Sequence, residues 1–123
     1  MDLLTKQLFD VHERCPQARF ELAPDGQRLL VVPGVSVGSA WNRRDVTLLV
    51  VVPSGYPHVN LDCFYTDAEL LLASGADPAN SSLQSVFGRQ LRWFSWHLSA
   101  WDPTTVTLDR YLRFCEARLR EGR

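Results

Sequence analysis

Apolar side chains recur at three- and four-residue spacing near the start of the chain. Leu4, Leu8 and Val11 share a face between charged neighbours, so residues 2–13 are predicted to form an amphipathic helix. Pro16 blocks its continuation. Two short runs, Ala18 to Leu22 and Gln27 to Val32, flank Pro24-Asp25-Gly26. That tripeptide is a turn signal with glycine where a positive φ is needed, so the two runs read as a hairpin. The stretch from Pro33 to Arg44 is polar and glycine-bearing, hence a loop. Asp45 to Val52 is an almost unbroken run of β-branched residues and leucine, the profile of a central strand buried on both faces. Pro53-Ser54-Gly55-Tyr56-Pro57 is a turn, Leu61 to Thr66 another strand, and Glu69 to Leu72 a short edge piece. Periodicity fades from Ala73 to Asp102, where Leu83, Val86 and Phe87 suggest at most one helical turn. It returns from Leu108 to Arg120: Leu108, Tyr111, Leu112, Cys115 and Leu119 form one stripe. Thr107 is placed to cap this helix, and Asp109 lies in its first turn.

The order of elements is helix, four-stranded antiparallel meander, long irregular segment, helix. That defines an α+β fold with the helices packed on one face of the sheet, built as one domain over residues 1–123. A hydrophobic content of 46% supplies an ordinary core without a metal or disulfide. The formal net charge of −1 argues against nucleic-acid binding, which relies on a basic surface. No apolar run approaches the roughly 18 residues of a membrane span, and the first residues lack the basic and apolar regions of a secretory signal. Cys15, Cys63 and Cys115 are odd in number and never paired as Cys-x-x-Cys, which points to free thiols in a reducing cytoplasm.

Candidate chemistry concentrates in the irregular segment. Three of the four tryptophans, Trp93, Trp96 and Trp101, lie there with Ser95 and His97 among them. Tryptophans either pack or, when exposed, anchor a protein partner. His97 can act as acid, base or hydrogen-bonding anchor, and Asp62 is a candidate to orient it. A Ser95/His97 nucleophile pair is set aside, because side chains at i and i+2 need not face each other and no third group is identifiable. Cys63 is the best candidate thiol. Cys115 lies on the apolar stripe and reads as core, and Cys15 as incidental at a helix end. His12, His58 and His97 show no metal-ligand spacing, and no glycine-rich phosphate loop is present, so neither metal nor cofactor is expected. Arg110, Arg113, Arg118 and Arg120 read as a solvated helix face, or as a patch for an acidic partner.

Gly55-Tyr56-Pro57 ahead of the fourth strand, Asp62-Cys63-Phe64-Tyr65, Trp93-Phe94-Ser95-Trp96-His97, and Trp101-Asp102-Pro103 leading into the last helix occur in this order on this string of elements. In that combination the chain resembles the ubiquitin-conjugating-enzyme superfamily, and more closely its bacterial branch, prokaryotic family E. The resemblance covers nearly the whole chain. It implies a part in conjugating a ubiquitin-like protein, in bacteria and often in defence against phage. A ThiF-type activating enzyme passes the ubiquitin-like protein's C-terminus to a cysteine as a thioester, which an amine then attacks. The implied partners are those two proteins. The implied site is His97 and Cys63 as catalytic candidates, with Trp93, Trp96, Asp62 and Tyr56 as binding candidates.

The chain departs from the superfamily pattern at its centre. Counted back from Trp101, the usual position of the nucleophilic cysteine falls on Trp93, and no cysteine lies between residues 67 and 114. The usual His-Pro-Asn is missing as well; His58 is followed by Val59-Asn60. Thioester transfer needs a thiolate, and neither histidine nor serine simply replaces it. Two readings stand: an altered active site using Cys63 and His97, or a non-catalytic scaffold that keeps the fold and only docks the ubiquitin-like protein or its activating enzyme. A plain binding module unrelated to ubiquitin is a third.

Overall fold

The computed structural model describes residues 1–123. Helix α1 (Leu3–His12) starts at Asp2, whose carboxylate accepts the Thr5 amide hydrogen, the usual way an exposed first turn is closed. Six strands follow: β1 (Arg19–Leu22), β2 (Arg28–Ser36), β3 (Asp45–Val52), β4 (Phe64–Asp67), β5 (Ser81–Val86) and β6 (Arg89–Phe94). Helix α2 (Leu108–Arg120) closes the chain. The strands form one antiparallel sheet in the order β1-β2-β3-β4-β6-β5.

The α+β class matches the sequence reading, as do the bounds of β3 and α2. The strand count does not: there are six strands rather than four. The segment from Ala73 to Asp102, read as irregular, contains the β5–β6 hairpin. Its signal is weak for physical reasons. Strand β5 is a polar edge strand, Ser-Ser-Leu-Gln-Ser-Val, with no buried residue. Its connection is the pair Phe87-Gly88, both at positive φ, as two-residue hairpin turns require. Asparagine at the first position advertises such a turn; phenylalanine does not. Leu83, Val86 and Phe87 therefore belong to a hairpin and not to a helical turn. Strand β2 also runs past its expected end, because Pro33-Gly34 forms a bulge between Val32 and Val35 after which pairing with β3 resumes.

The unbroken aliphatic run of β3 is explained by two cores. Leu48, Val50 and Val52 join Leu30, Val32, Phe64 and Phe94 beneath the helices, where Val11, Leu108, Tyr111, Leu112, Cys115 and Leu119 cover them. The alternate residues Leu29, Val31 and Leu49 pack with Leu91 on the other face, flanked by Tyr65 and Phe87. The hairpin tip reaches back to the β1–β2 turn, so that a Cβ on Gly88 would stand 3.3 Å from the Pro24 ring. The sheet is thus curled enough to cover part of its own second face.

Three polar side chains tie the helices to each other and to the rest of the fold. Gln7 of α1 is buried, and its Oε1 accepts from the Tyr56 hydroxyl at 2.6 Å and from the Leu108 amide at 3.0 Å. Arg14 bridges Asp109 and Glu116 of α2. Arg118 corrects the solvated-face reading of the helix arginines. It is fully buried, its guanidinium lies over the rings of Phe94 and Trp96, and Nη2 donates to the carbonyls of Ala79 and Arg123. Its place is set by helical phase: it follows Cys115 by three residues and so shares the buried stripe. Arg110, Arg113 and Arg120 are exposed.

Candidate functional site

The aromatic motifs meet each other. The Trp101 indole donates to the Pro57 carbonyl at 2.7 Å and packs edge-on against Tyr56 and Tyr111. The Tyr56–Pro57 bond is cis. Tyr56 itself is buried, and burial pushes its phenol up to about 12, with the hydrogen bond to Gln7 acting the other way. Trp101 thereby clasps the turn before β4 to the start of α2. This places the loops at 57–63 and 95–107 side by side.

Between them lies a small polar cluster. The Cys63 amide donates to the Trp96 carbonyl at 3.0 Å, and the Tyr111 hydroxyl donates to the Cys63 carbonyl at 2.9 Å. Ser95 is held from the other side, its amide donating to the Asn80 carbonyl at 2.9 Å. The alternation of β6 continues past its end: Phe94 faces the main core, and the Trp96 ring stacks on Phe114 of α2. Ser95 and His97 therefore turn together to the opposite, open side, as extended backbone dictates for residues two apart.

His97 Nδ1 lies 2.6 Å from Asp62 Oδ1, and His97 Nε2 lies 3.2 Å from Ser95 Oγ. A carboxylate only accepts, so Nδ1 carries the hydrogen. In the neutral ring Nε2 is then the acceptor and the Ser95 hydroxyl the donor. This corrects the reading that set the Ser95/His97 pair aside: the two side chains do face each other, and Asp62 is the third group. Asp62, entering from the loop before β4, makes the contact to His97 that the sequence reading offered for it.

Cys63 belongs to the same cluster. One ligand-capable atom from each of Asp62, Cys63 and His97 lies within 4.8 Å of the other two. Asp62 and His97 side chains are each 61% exposed, whereas Cys63 retains only 7% of its accessible surface. Burial pushes the Cys63 thiol up, and the Asp62 carboxylate adds to this. The Trp96 backbone and the Trp93 side chain hydrogen-bond so as to favour the thiolate and act in the opposite direction. Cys63 also adopts φ 58°, a left-handed conformation that costs a non-glycine residue on the order of 1–3 kcal/mol and clusters at functional sites. Three such donor groups together can hold a soft divalent ion, a grouping the separate histidines gave no hint of.

The other candidates fall elsewhere. Trp93 sits within β6, paired across to Tyr65 and Ser82, so the position of the usual cysteine is a strand position here. Trp96 is half-buried against Phe114 and Arg118, its indole donating to the Phe114 carbonyl at 3.3 Å. Cys115 is fully buried in the main core. His12 Nε2 donates to the Ala18 carbonyl at 2.7 Å, and His58 lies exposed in the turn after Pro57. No helix is long and apolar enough to cross a membrane.

An antiparallel sheet backed by two helices, a Tyr-Pro turn clasped by a Trp-x-Pro and a polar cluster beside that clasp together define a conjugating-enzyme-like domain. The model of prokaryotic E2 family E matches residues 11–122, and the chain belongs to that family. No curated protein and no solved structure matches it. Membership makes it a bacterial conjugating-enzyme-like protein of ubiquitin-like modification, a setting whose general partners are a ubiquitin-like protein and its activating enzyme.

Proposed function

We propose that this protein carries a ubiquitin-like protein as a thioester on Cys63, displaced from the superfamily's usual position, with His97 and Asp62 beside it. The carrying observation is the clustering of Asp62, Cys63 and His97 within 4.8 Å at the clasp formed by Tyr56, Pro57 and Trp101. In this reading the donor is a ThiF-type activating enzyme charged with the ubiquitin-like protein. The Cys63 thiolate attacks the donor thioester carbon, the donor's thiolate leaves, and an amine later displaces Cys63. The Trp93 and Trp96 groups that favour the thiolate offset part of the burial that opposes it. Trp93 and Trp96 contribute to the binding surface beside the thiol, with the protein acting in the bacterial cytoplasm and in defence against phage. Incubation with the cognate activating enzyme, ATP and ubiquitin-like protein is expected to give an adduct that thiol reductant removes and Cys63→Ala abolishes. An adduct unaffected by Cys63→Ala refutes the assignment.

The burial of Cys63 to 7% favours a second reading, a non-catalytic scaffold that docks the same partners. It predicts no adduct with the cognate set but retained capture of the ubiquitin-like protein or activating enzyme in a pull-down. Loss of both adduct and capture rules out both readings.

A further inference from the structure

We infer that Ser95 is a nucleophile in its own right, an acyl acceptor that takes the acyl group of a thioester or activated ester as an oxyester. His97 serves as its general base and Asp62 as the positioning residue behind the histidine. The inference goes beyond the thioester reading and does not require Cys63 to react.

Three observations carry it. The first is geometry: Ser95 Oγ to His97 Nε2 is 3.2 Å and His97 Nδ1 to Asp62 Oδ1 is 2.6 Å, the nucleophile–base and base–orienter contacts that acyl-transfer sites share. The second is the tautomer. The carboxylate fixes the hydrogen on Nδ1, which leaves the basic nitrogen aimed at the Ser95 hydroxyl. The third is rigidity. The 95–97 segment is pinned by Ser95 to Asn80 on one side, by Cys63 to Trp96 on the other, and by the Trp96 ring on Phe114. Ser95 and His97 thus hold their facing positions from backbone contacts, whatever happens at their own side chains.

The step balances without a co-reactant. Ser95 Oγ bonds to the acyl carbon, its proton passes to His97 Nε2, and the carbon–sulfur or carbon–oxygen bond of the donor breaks. The leaving thiolate or alkoxide takes the proton back from Nε2. Asp62 stabilises the transient imidazolium. Because Asp62 and His97 are each 61% exposed, water competes and the oxyester turns over by hydrolysis, so a trapping reagent reports the site better than steady-state product.

The test is labelling of the intact protein with a fluorophosphonate probe in the presence of EDTA, followed by peptide mapping. A single adduct on Ser95 is expected. Ser95→Ala abolishes it, and His97→Gln slows it by about a hundredfold or more, the low end of what a general base supplies. Asp62→Asn slows it less, and the pH profile of labelling changes shape with that variant, which a merely structural aspartate does not cause. Unchanged circular dichroism establishes that the variants fold. Absence of a Ser95 adduct, or one whose rate His97→Gln leaves alone, overturns the inference. A Cys63 thioester with unlabelled Ser95 leaves the conjugation reading standing and removes this one; labelled Ser95 with no thioester does the reverse.

Discussion

Gln7 joins three parts of the fold through one oxygen, so replacing it by leucine tests how the site region is held. Its Oε1 accepts from Tyr56 of the turn before β4 and from Leu108 at the start of α2, and both residues are buried. The Leu108 amide is one of the helix N-terminal donors that have no intrahelical partner. Leucine fits the space but strands both donors. Each buried donor left unpaired costs about 1–3 kcal/mol, giving roughly 2–6 for the pair. Tyr56 keeps 9% of its accessible surface, so the expected loss lies in the lower half of that range, about 3 kcal/mol. At roughly 4 °C per kcal/mol for a domain of this size, the melting temperature falls by about 12 °C. Thermal and urea unfolding followed by circular dichroism measure it, and Tyr56→Phe completes a double-mutant cycle. Alone, Tyr56→Phe costs about 1 kcal/mol. On the Gln7→Leu background it removes a stranded donor and is neutral or stabilising. Losses that add to within about 0.5 kcal/mol refute the shared-acceptor argument, since additivity of that quality marks independent sites.

Alkylation of Cys63 by iodoacetamide is expected to be slow at neutral pH and to rise steeply only above the ordinary thiol value of 9.0, because burial and Asp62 favour the neutral thiol. Peptide-resolved mass spectrometry across pH 7–10 reads this, and fast modification at pH 7 contradicts it. Arg14→Gln breaks the bridge to Asp109 and Glu116. These groups are partly exposed, so the loss is about 1 kcal/mol and shrinks as salt is raised, as urea titrations at two ionic strengths can establish. Arg118→Met keeps the stem over Phe94 and Trp96 and removes a buried cation with two unsatisfied nitrogens, Nε and Nη1. It is expected to stay within about 1 kcal/mol of wild type, whereas Arg118→Ala opens a cavity and costs about 2 kcal/mol or more.

What was legible in the sequence follows from which forces leave a pattern. The stripe of α2 and the aliphatic run of β3 are consequences of burial, and burial writes itself as periodicity, so both appear with their true ends. Strand β5 owes its existence to pairing with β6 and buries nothing of its own, so Ser-Ser-Leu-Gln-Ser-Val carries no pattern to find. Arg118 defeated the charge rule because its environment is made by Phe94, Trp96 and the Ala79 carbonyl, all contributed by distant chain. The site divides the same way. Asp62, Cys63 and His97 were legible as candidates by chemistry, but Ser95 was dismissed on a local argument about spacing. The alternation that turns it toward His97 is visible only once β6 is known to be a strand.

The β5–β6 hairpin also changes how the tryptophan count bears on activity. Counting back from Trp101 to locate a cysteine assumes that the position reached lies on the loop between the fourth strand and Trp-x-Pro. Here the β5–β6 hairpin lies inside that interval, and Trp93 is hydrogen-bonded into a sheet between β4 and β5. A residue in that position faces neighbours fixed by strand pairing and cannot be presented on a flexible active-site loop. The absence of cysteine at 93 therefore says little by itself about chemistry. Position in space gathers the candidate residues beside the clasp of Trp101 on Pro57, where the Cys63 amide donates to the Trp96 carbonyl. In the proposed thioester reading the buried thiol meets the incoming carbonyl, and in the proposed oxyester reading the open Ser95–His97 pair does. The two are separable because one reacts as a thiolate that burial disfavours and the other as a serine hydroxyl that a fluorophosphonate labels.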